Sequence, residues 1–473
     1  MLVKLKIKIG VLILGLVLLA WSRFYNLETS ARFLWDESSD LVRMQELYQN
    51  PRLTMIGPIS EDNIKVFGSL TYYLTLPFVA IFNFSPVSAA YATAFFGILT
   101  VILLILVFKK LKVPVSLLTV FILLLTSYPL LQSARWAWNP HFVPFWQALG
   151  LFSFLAWGNI GIVLSGLFFG LTIHHHYYAL FAVIGFGLIV AWKKELRFKK
   201  IFLYLLGLGI AIFPFILFDL THPPGLFISR MLAFGQISNN TGAFNLVTIL
   251  NNLINIPLKF TNYLSGANLI FGIIILVLSL LNILKLKKDE SQKWILVVIA
   301  QFLGLALISG RVDDHYLLPA IIFYYLWIIT SYKKSLISKI LIYILIVANI
   351  ITLPALINRN NWETNIKASE EITNYVISKC QKDCKNYNLA VLGSPDINTK
   401  GRRYRDLLKI KNIELATIDK YEGLKGAFFV SYADWNDLKN DPSYEIDNYR
   451  KLDPTEVQNI NNSKWKVYFF EQK

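Results

Sequence analysis

Apolar blocks of membrane-crossing length follow one another along most of this chain, near residues 9–22, 87–108, 113–131, 141–157, 160–174, 177–192, 201–218, 266–284, 294–309, 317–330 and 337–357. A helix needs about 20 mostly apolar residues to cross a bilayer, because the hydrocarbon layer is about 30 Å thick and each residue rises about 1.5 Å. The pattern therefore predicts an α-helical polytopic membrane protein with about eleven transmembrane helices. Composition agrees, since 55% of the 473 residues are hydrophobic and only 16% are charged. A net charge of +16 would suit a nucleic-acid binder, but the Lys and Arg fall largely in short clusters between apolar blocks. Such clusters orient membrane segments, so the bilayer is the expected partner and nucleic acid is not.

Five clusters set the orientation: Lys4/Lys6/Lys8, Lys109/Lys110/Lys112, Lys193/Lys194/Arg197/Lys199/Lys200, Lys285/Lys287/Lys288/Lys293 and Lys333/Lys334/Lys339. All five fall inside if the N-terminus is cytoplasmic and the short stretch 68–84, broken by Pro77, does not cross. That stretch is accordingly predicted to be an interfacial or re-entrant helix on the outer side. The first segment resembles a signal peptide, but Trp21-Ser22-Arg23-Phe24 offers no small-residue cleavage site, so it reads as a retained anchor. Two long loops, 23–86 and 219–265, then lie outside together with the tail, and all six histidines fall at or near that face. Function is expected there, on loops held by a rigid scaffold.

After Asn358 the apolar runs give way to Asn, Lys, Asp and Glu. This predicts a membrane domain over 1–357 and a small extracytoplasmic α/β domain over 358–473. In the latter, 363–380 reads as an amphipathic helix, and Leu389–Leu392, Ala427–Val430 and Val467–Phe470 read as buried strands. Cys380 and Cys384 are too few for a disulfide framework or a cysteine metal cage; they are either two separate thiols or a short-loop disulfide.

The residues that point most strongly to chemistry are Asp36 and Glu37, in Phe33-Leu34-Trp35-Asp36-Glu37-Ser38-Ser39-Asp40. Adjacent carboxylates among apolar residues at interface depth are costly to keep ionised unless something uses them. A carboxylate is also a natural general base for an acceptor hydroxyl. The competing reading makes Asp36 the cap of the helix that follows, whose apolar face is Leu41, Met44, Leu47 and Tyr48.

This order of features resembles the GT-C class of membrane glycosyltransferases, which includes the protein O-mannosyltransferases and the lipid A aminoarabinose transferases. Phe67-Gly68-Ser69-Leu70-Thr71-Tyr72-Tyr73-Leu74 is similar to a stretch that follows the acidic pair in bacterial members, and Gly310-Arg311-Val312-Asp313-Asp314-His315-Tyr316-Leu317-Leu318-Pro319 to a late motif. The likeness spans roughly residues 1–330. It implies that Asp36, with Glu37, is the catalytic acid pair. Asn139, in Arg135-Trp136-Ala137-Trp138-Asn139-Pro140-His141, stands where better-known members often carry Asp, which weakens the case for a bridging metal.

An outward-facing site is remote from cytosolic nucleotide sugars, and the chain has no phosphate-cradling loop. A polyprenyl-phosphate-linked sugar is therefore the expected donor, with the acceptor open and no cofactor or metal required. The resemblance implies one inverting displacement. Lys65, Arg135, Arg311 and His315 are candidates to hold the phosphate, and Asn139 and Tyr316 are further substrate-binding candidates. His174, His175 and His176 point about 100° apart on a helix, so they cannot together ligate one metal and are expected to hydrogen-bond phosphate or sugar. The rival reading is a transporter or flippase of lipid-linked intermediates; such proteins usually show internal repeats and midplane ionisable residues.

Overall fold

A computed structural model describes residues 2–60, 66–192, 197–229, 246–286, 289–307, 312–381, 383–393, 400–461 and 463–472. Lys65 and Arg311 lie outside the described residues, as do Lys193, Lys194, Lys287 and Lys288. In chain order, α1 (Leu2–Phe24), α2 (Leu27–Ser30) and α3 (Trp35–Gln49) precede an antiparallel pair, β1 (Ile56–Ile59) and β2 (Val66–Gly68). Next come α4 (Leu70–Ile81), α5 (Ser88–Lys110), α6 (Leu117–Thr126), α7 (Tyr128–Ser133), α8 (Val143–Ala156), α9 (Gly158–His175) and α10 (Ala179–Val190). The helical region continues with α11 (Arg197–Thr221), α12 (Leu246–Leu264), α13 (Leu269–Lys285), α14 (Gln292–Ala306), α15 (Leu318–Thr330) and α16 (Leu336–Ile357). The tail contains α17 (Ile366–Cys380), β3 (Tyr387–Val391), α18 (Arg402–Ile410), β4 (Gly426–Ser431), α19 (Trp435–Leu438), β5 (Glu456–Asn459) and β6 (Lys466–Glu471).

The chain forms two compact units. The first comprises Met1–Tyr25, Leu53–Leu74 and Ala92–Ile357, and the second Asn26–Arg52, Thr75–Tyr91 and Asn358–Lys473. Each is thus assembled from several stretches of chain.

In the first unit every apolar block carries a helix. Among the described residues α5, α9, α11 and α16 are both long and apolar enough to cross a membrane, and α12 with α13 forms a pair bent by 116°. By contrast α4 has 12 residues with Pro77 inside, about 18 Å of rise against a hydrocarbon layer of about 30 Å. Packing is closest between α9 and α11. A Cβ on Gly166 would lie 2.0 Å from the Tyr204 carbonyl oxygen, and one on Gly207 1.9 Å from that of Val163. Small residues let these backbones meet, the usual device where no hydrophobic force separates helix from lipid. α15 is buried on all sides from Leu318 to Ile329, as a helix apolar around its whole circumference must be in a core.

Two buried guanidinium groups gather three helix ends at one face. Arg135 donates to the carbonyls of Ser22 and Tyr25, each at 2.8 Å, and of Ile357 at 3.2 Å. Arg23 reaches the carbonyls of Leu124 and Leu125 at 3.5 and 3.3 Å. The last carbonyls of α1, α6 and α16 carry the negative ends of their helix dipoles, and the two cations offset them. Burial pulls the Arg135 guanidinium down to about 10, so it stays charged at neutral pH.

The second unit is built on a four-stranded sheet ordered β3-β4-β6-β5, with β3 and β4 parallel and the other pairs antiparallel. The helix and three strands expected from the sequence are present. The edge strand β5 went unread because Glu456-Val457-Gln458-Asn459 is polar and mostly exposed, as edge strands often are. Cys380 and Cys384 form a disulfide. Helix α3 joins this unit by polar contacts with α18. The Ser38 and Ser39 hydroxyls donate to one Asp406 oxygen at 2.7 and 3.2 Å, and Gln45 donates to the Ile410 carbonyl at 3.0 Å. Arg403, fully buried, donates to the Phe33 carbonyl at 2.8 Å.

Candidate active site

In the first unit the three consecutive histidines part company, as their helical rotation requires. His175 is fully buried, with Trp146 Nε1 donating to its Nε2 at 2.9 Å and Thr71 Oγ1 at 2.9 Å from its Nδ1. An indole N–H can only donate, so Nε2 accepts, and the neutral ring carries its proton on Nδ1 toward Thr71. His174 donates from Nε2 to the Ala211 carbonyl at 2.7 Å and packs on Phe215. A Cβ on Gly68 would lie 2.5 Å from the His174 ring. The glycine in Phe67-Gly68-Ser69 is therefore what lets β2 approach α9. Both rings serve to tie elements together.

His176, extended at the end of α9, behaves differently. Its ring stacks on Phe67 at 5.4 Å and meets Tyr178, Tyr316 and His315 at 4.8, 5.1 and 5.0 Å. His315 in turn lies 4.3 Å from the Trp138 ring, which stacks on Trp136 at 4.6 Å. The result is a continuous wall of imidazole and aromatic rings, several meeting edge to face, buried at His176 and half-exposed at His315, Trp136 and Trp138. Next in the chain to Trp138, Asn139 donates its amide to the His175 carbonyl. Imidazoles can bind an anion by hydrogen bonding, while the flat rings can cover an apolar chain or a sugar face.

The structure brings His176, His315 and Tyr316 together and sets Arg135 elsewhere, on the carbonyl clamp. It also adds Lys259, which the sequence reading missed. Lys259 donates to the Val312 carbonyl and lies 3.5 Å from Asp314, beside His315 in the chain. The signal was available, because Lys259 is the one charged residue in α12, and a lone ionisable group in an apolar helix merits a functional reading. Among the described residues no group of three or more His, Cys, Asp or Glu could hold a metal ion.

The acidic pair belongs to the second unit. Glu37 is buried and its carboxylate accepts the Leu34 N–H at 2.7 Å, so Glu37 makes a capping contact of α3. Asp36 lies half-buried in the first turn, where unsatisfied N–H groups and the positive helix end favour a carboxylate. The Arg402 guanidinium lies 5.1 Å from the Trp35 ring. Burial pushes the Asp406 carboxyl upward, against the pull of Ser38, Arg402, Ser39 and Lys409.

No protein-family model and no curated protein matches the chain. Among solved structures, apo ArnT from Cupriavidus metallidurans aligns at TM-score 0.60 and 11% identity, over 98% of this chain and 98% of that one. The same protein bound to undecaprenyl phosphate also gives 0.60, at 10% identity over 97% and 98%. The chain has the fold of ArnT. That is the GT-C architecture implied by the order of motifs, and the match runs through both units rather than stopping near residue 330. An apo oligosaccharyltransferase from Archaeoglobus fulgidus aligns more loosely, at 0.48 and 12% identity over 84% of this chain and 64% of that one.

Proposed function

We propose that this protein is a membrane glycosyltransferase that moves a sugar from a polyprenyl-phosphate carrier to an acceptor on the extracytoplasmic face. The observation that carries the reading is the fold shared with ArnT over nearly the whole chain, together with the capture of undecaprenyl phosphate by that protein. In this reading the acceptor oxygen attacks the anomeric carbon while Asp36 takes its proton, and the bond to the carrier phosphate breaks on the opposite side. The carrier phosphate leaves with the bonding electrons, and His176, His315 and Lys259 of the first unit are candidates to bind such an anion. Lys65 and Arg311 are further candidates for that role. The test is release of polyprenyl phosphate by purified protein in liposomes, against a panel of polyprenyl-phosphate sugars and acceptors. Carrier movement across the bilayer without release would favour a flippase.

The outward orientation rests on the five basic clusters, and the Cys380–Cys384 disulfide supports it because such bonds persist in oxidising compartments. In a background with both cysteines replaced by serine, His222→Cys and Lys451→Cys should react with an impermeant thiol reagent on intact cells. Labelling only after permeabilisation would invert the topology and place the proposed chemistry on the wrong face.

A further inference from the structure

The second unit contains a cavity of about 390 Å³ to which none of the residues proposed for the transfer contributes. It forms where two helices end. After α4 the chain turns through Asn83 and Phe84, both left-handed at φ 51 and 55, and the Phe84 N–H reaches the Val79 carbonyl at 2.7 Å. After α18 it turns through Asn412 at φ 58, with the Ile413 N–H on the Leu408 carbonyl at 2.9 Å. Asn suits a left-handed helix stop when Gly is absent, so the turns themselves present two carboxamides at the cavity.

Those carboxamides make no hydrogen bond among the described residues, nor do the Ser85 hydroxyl and the Glu370 carboxyl, which also line the cavity. The lining also includes the apolar Phe84, Leu407 and Ile410. Two amides, a hydroxyl and a carboxyl in one lining with apolar side chains match a sugar ring, whose hydroxyls donate and accept while its C–H face is apolar. The volume is within the usual range of about 300–1,000 Å³ for small-molecule sites. Charge selects within that class. Lys411 is held by the Asn374 side chain at 2.6 Å, and burial, with Glu28 adding like charge, pushes Glu370 upward against the pull of Lys411. The lining holds one ammonium, Lys411, and one carboxyl, Glu370, so it gathers no charge of a single sign for an ionic ligand.

We propose that this cavity binds a short neutral saccharide. The proposal concerns a binding site separate from the transfer residues and does not require that transfer occur. Saturation-transfer NMR on the full chain in nanodiscs, with neutral mono- and disaccharides and with a uronate and an amino sugar as charged comparisons, tests it directly. Asn83→Gly with Asn412→Gly keeps both left-handed turns while removing both amides. Loss of those hydrogen bonds should weaken neutral-sugar binding by about tenfold or more. Glu370→Gln should retain most of the binding, since an amide still meets hydroxyls. A free saccharide that competes with uptake of a polyprenyl-phosphate sugar, with the competition lost in the double variant, would identify the donor sugar as the source; binding without competition would identify an acceptor or free glycan. No neutral-sugar signal at millimolar concentration, preference for a charged sugar, or an unaltered double variant would overturn the proposal. Sugar binding without release of polyprenyl phosphate would count against the transferase reading alone.

Discussion

Asp36→Asn should slow single-turnover transfer by about 10² to 10⁴, the usual worth of a positioned general base. The substitution keeps shape and can still accept a hydrogen bond, so it isolates basicity. A purely structural Asp36 would cost well under about 1 kcal/mol on this change, and the Glu37 carboxylate makes a capping contact of α3 that the change leaves in place. Glu37→Gln retains a carbonyl oxygen for the Leu34 N–H, so it should fold and lose less activity. Because neighbouring carboxylates titrate as a pair, the pH profile of Glu37→Gln should still move. The measurement must use folded variants that bind donor as wild type does. Near wild-type rates for Asp36→Asn would remove the base assignment.

Arg135→Met should lower stability by about 3 kcal/mol or more, read from the unfolding midpoint in detergent micelles. A charged donor to a carbonyl is worth about 1.5–3 kcal/mol where water is excluded, and Arg135 serves three carbonyls from two helix ends while 3% exposed. Arg135→Lys should recover only part of the loss, since an ammonium on a flexible stem cannot reproduce the planar fork. The alternative expected from the sequence was phosphate binding. It predicts unchanged stability for Arg135→Met with weakened uptake of polyprenyl phosphate, so the two measurements together decide what this residue does.

The two histidine readings separate in the same manner. His175 is committed at both nitrogens to Trp146 and Thr71, whereas His176 shares a wall with His315 and Tyr316. The sequence could say that three adjacent rings diverge, because helical rotation is local. It could not say which ring faces partners far along the chain, such as Thr71, 104 residues from His175.

Membrane character, the positions of the apolar helices and the α/β nature of the tail were legible from the sequence alone, because hydrophobic length, charge clusters and short apolar strands are local properties that the bilayer or a sheet reads directly. The order of weak motifs likewise pointed to the GT-C architecture. Tertiary structure alone decided that α3 belongs with the tail, where Ser38 meets Asp406 from 368 residues away. It also decided that Arg135 clamps helix ends and that Lys259 stands beside the turn carrying His315. A buried polar side chain is defined by whichever partner satisfies it, and those partners come from distant segments that only packing brings together.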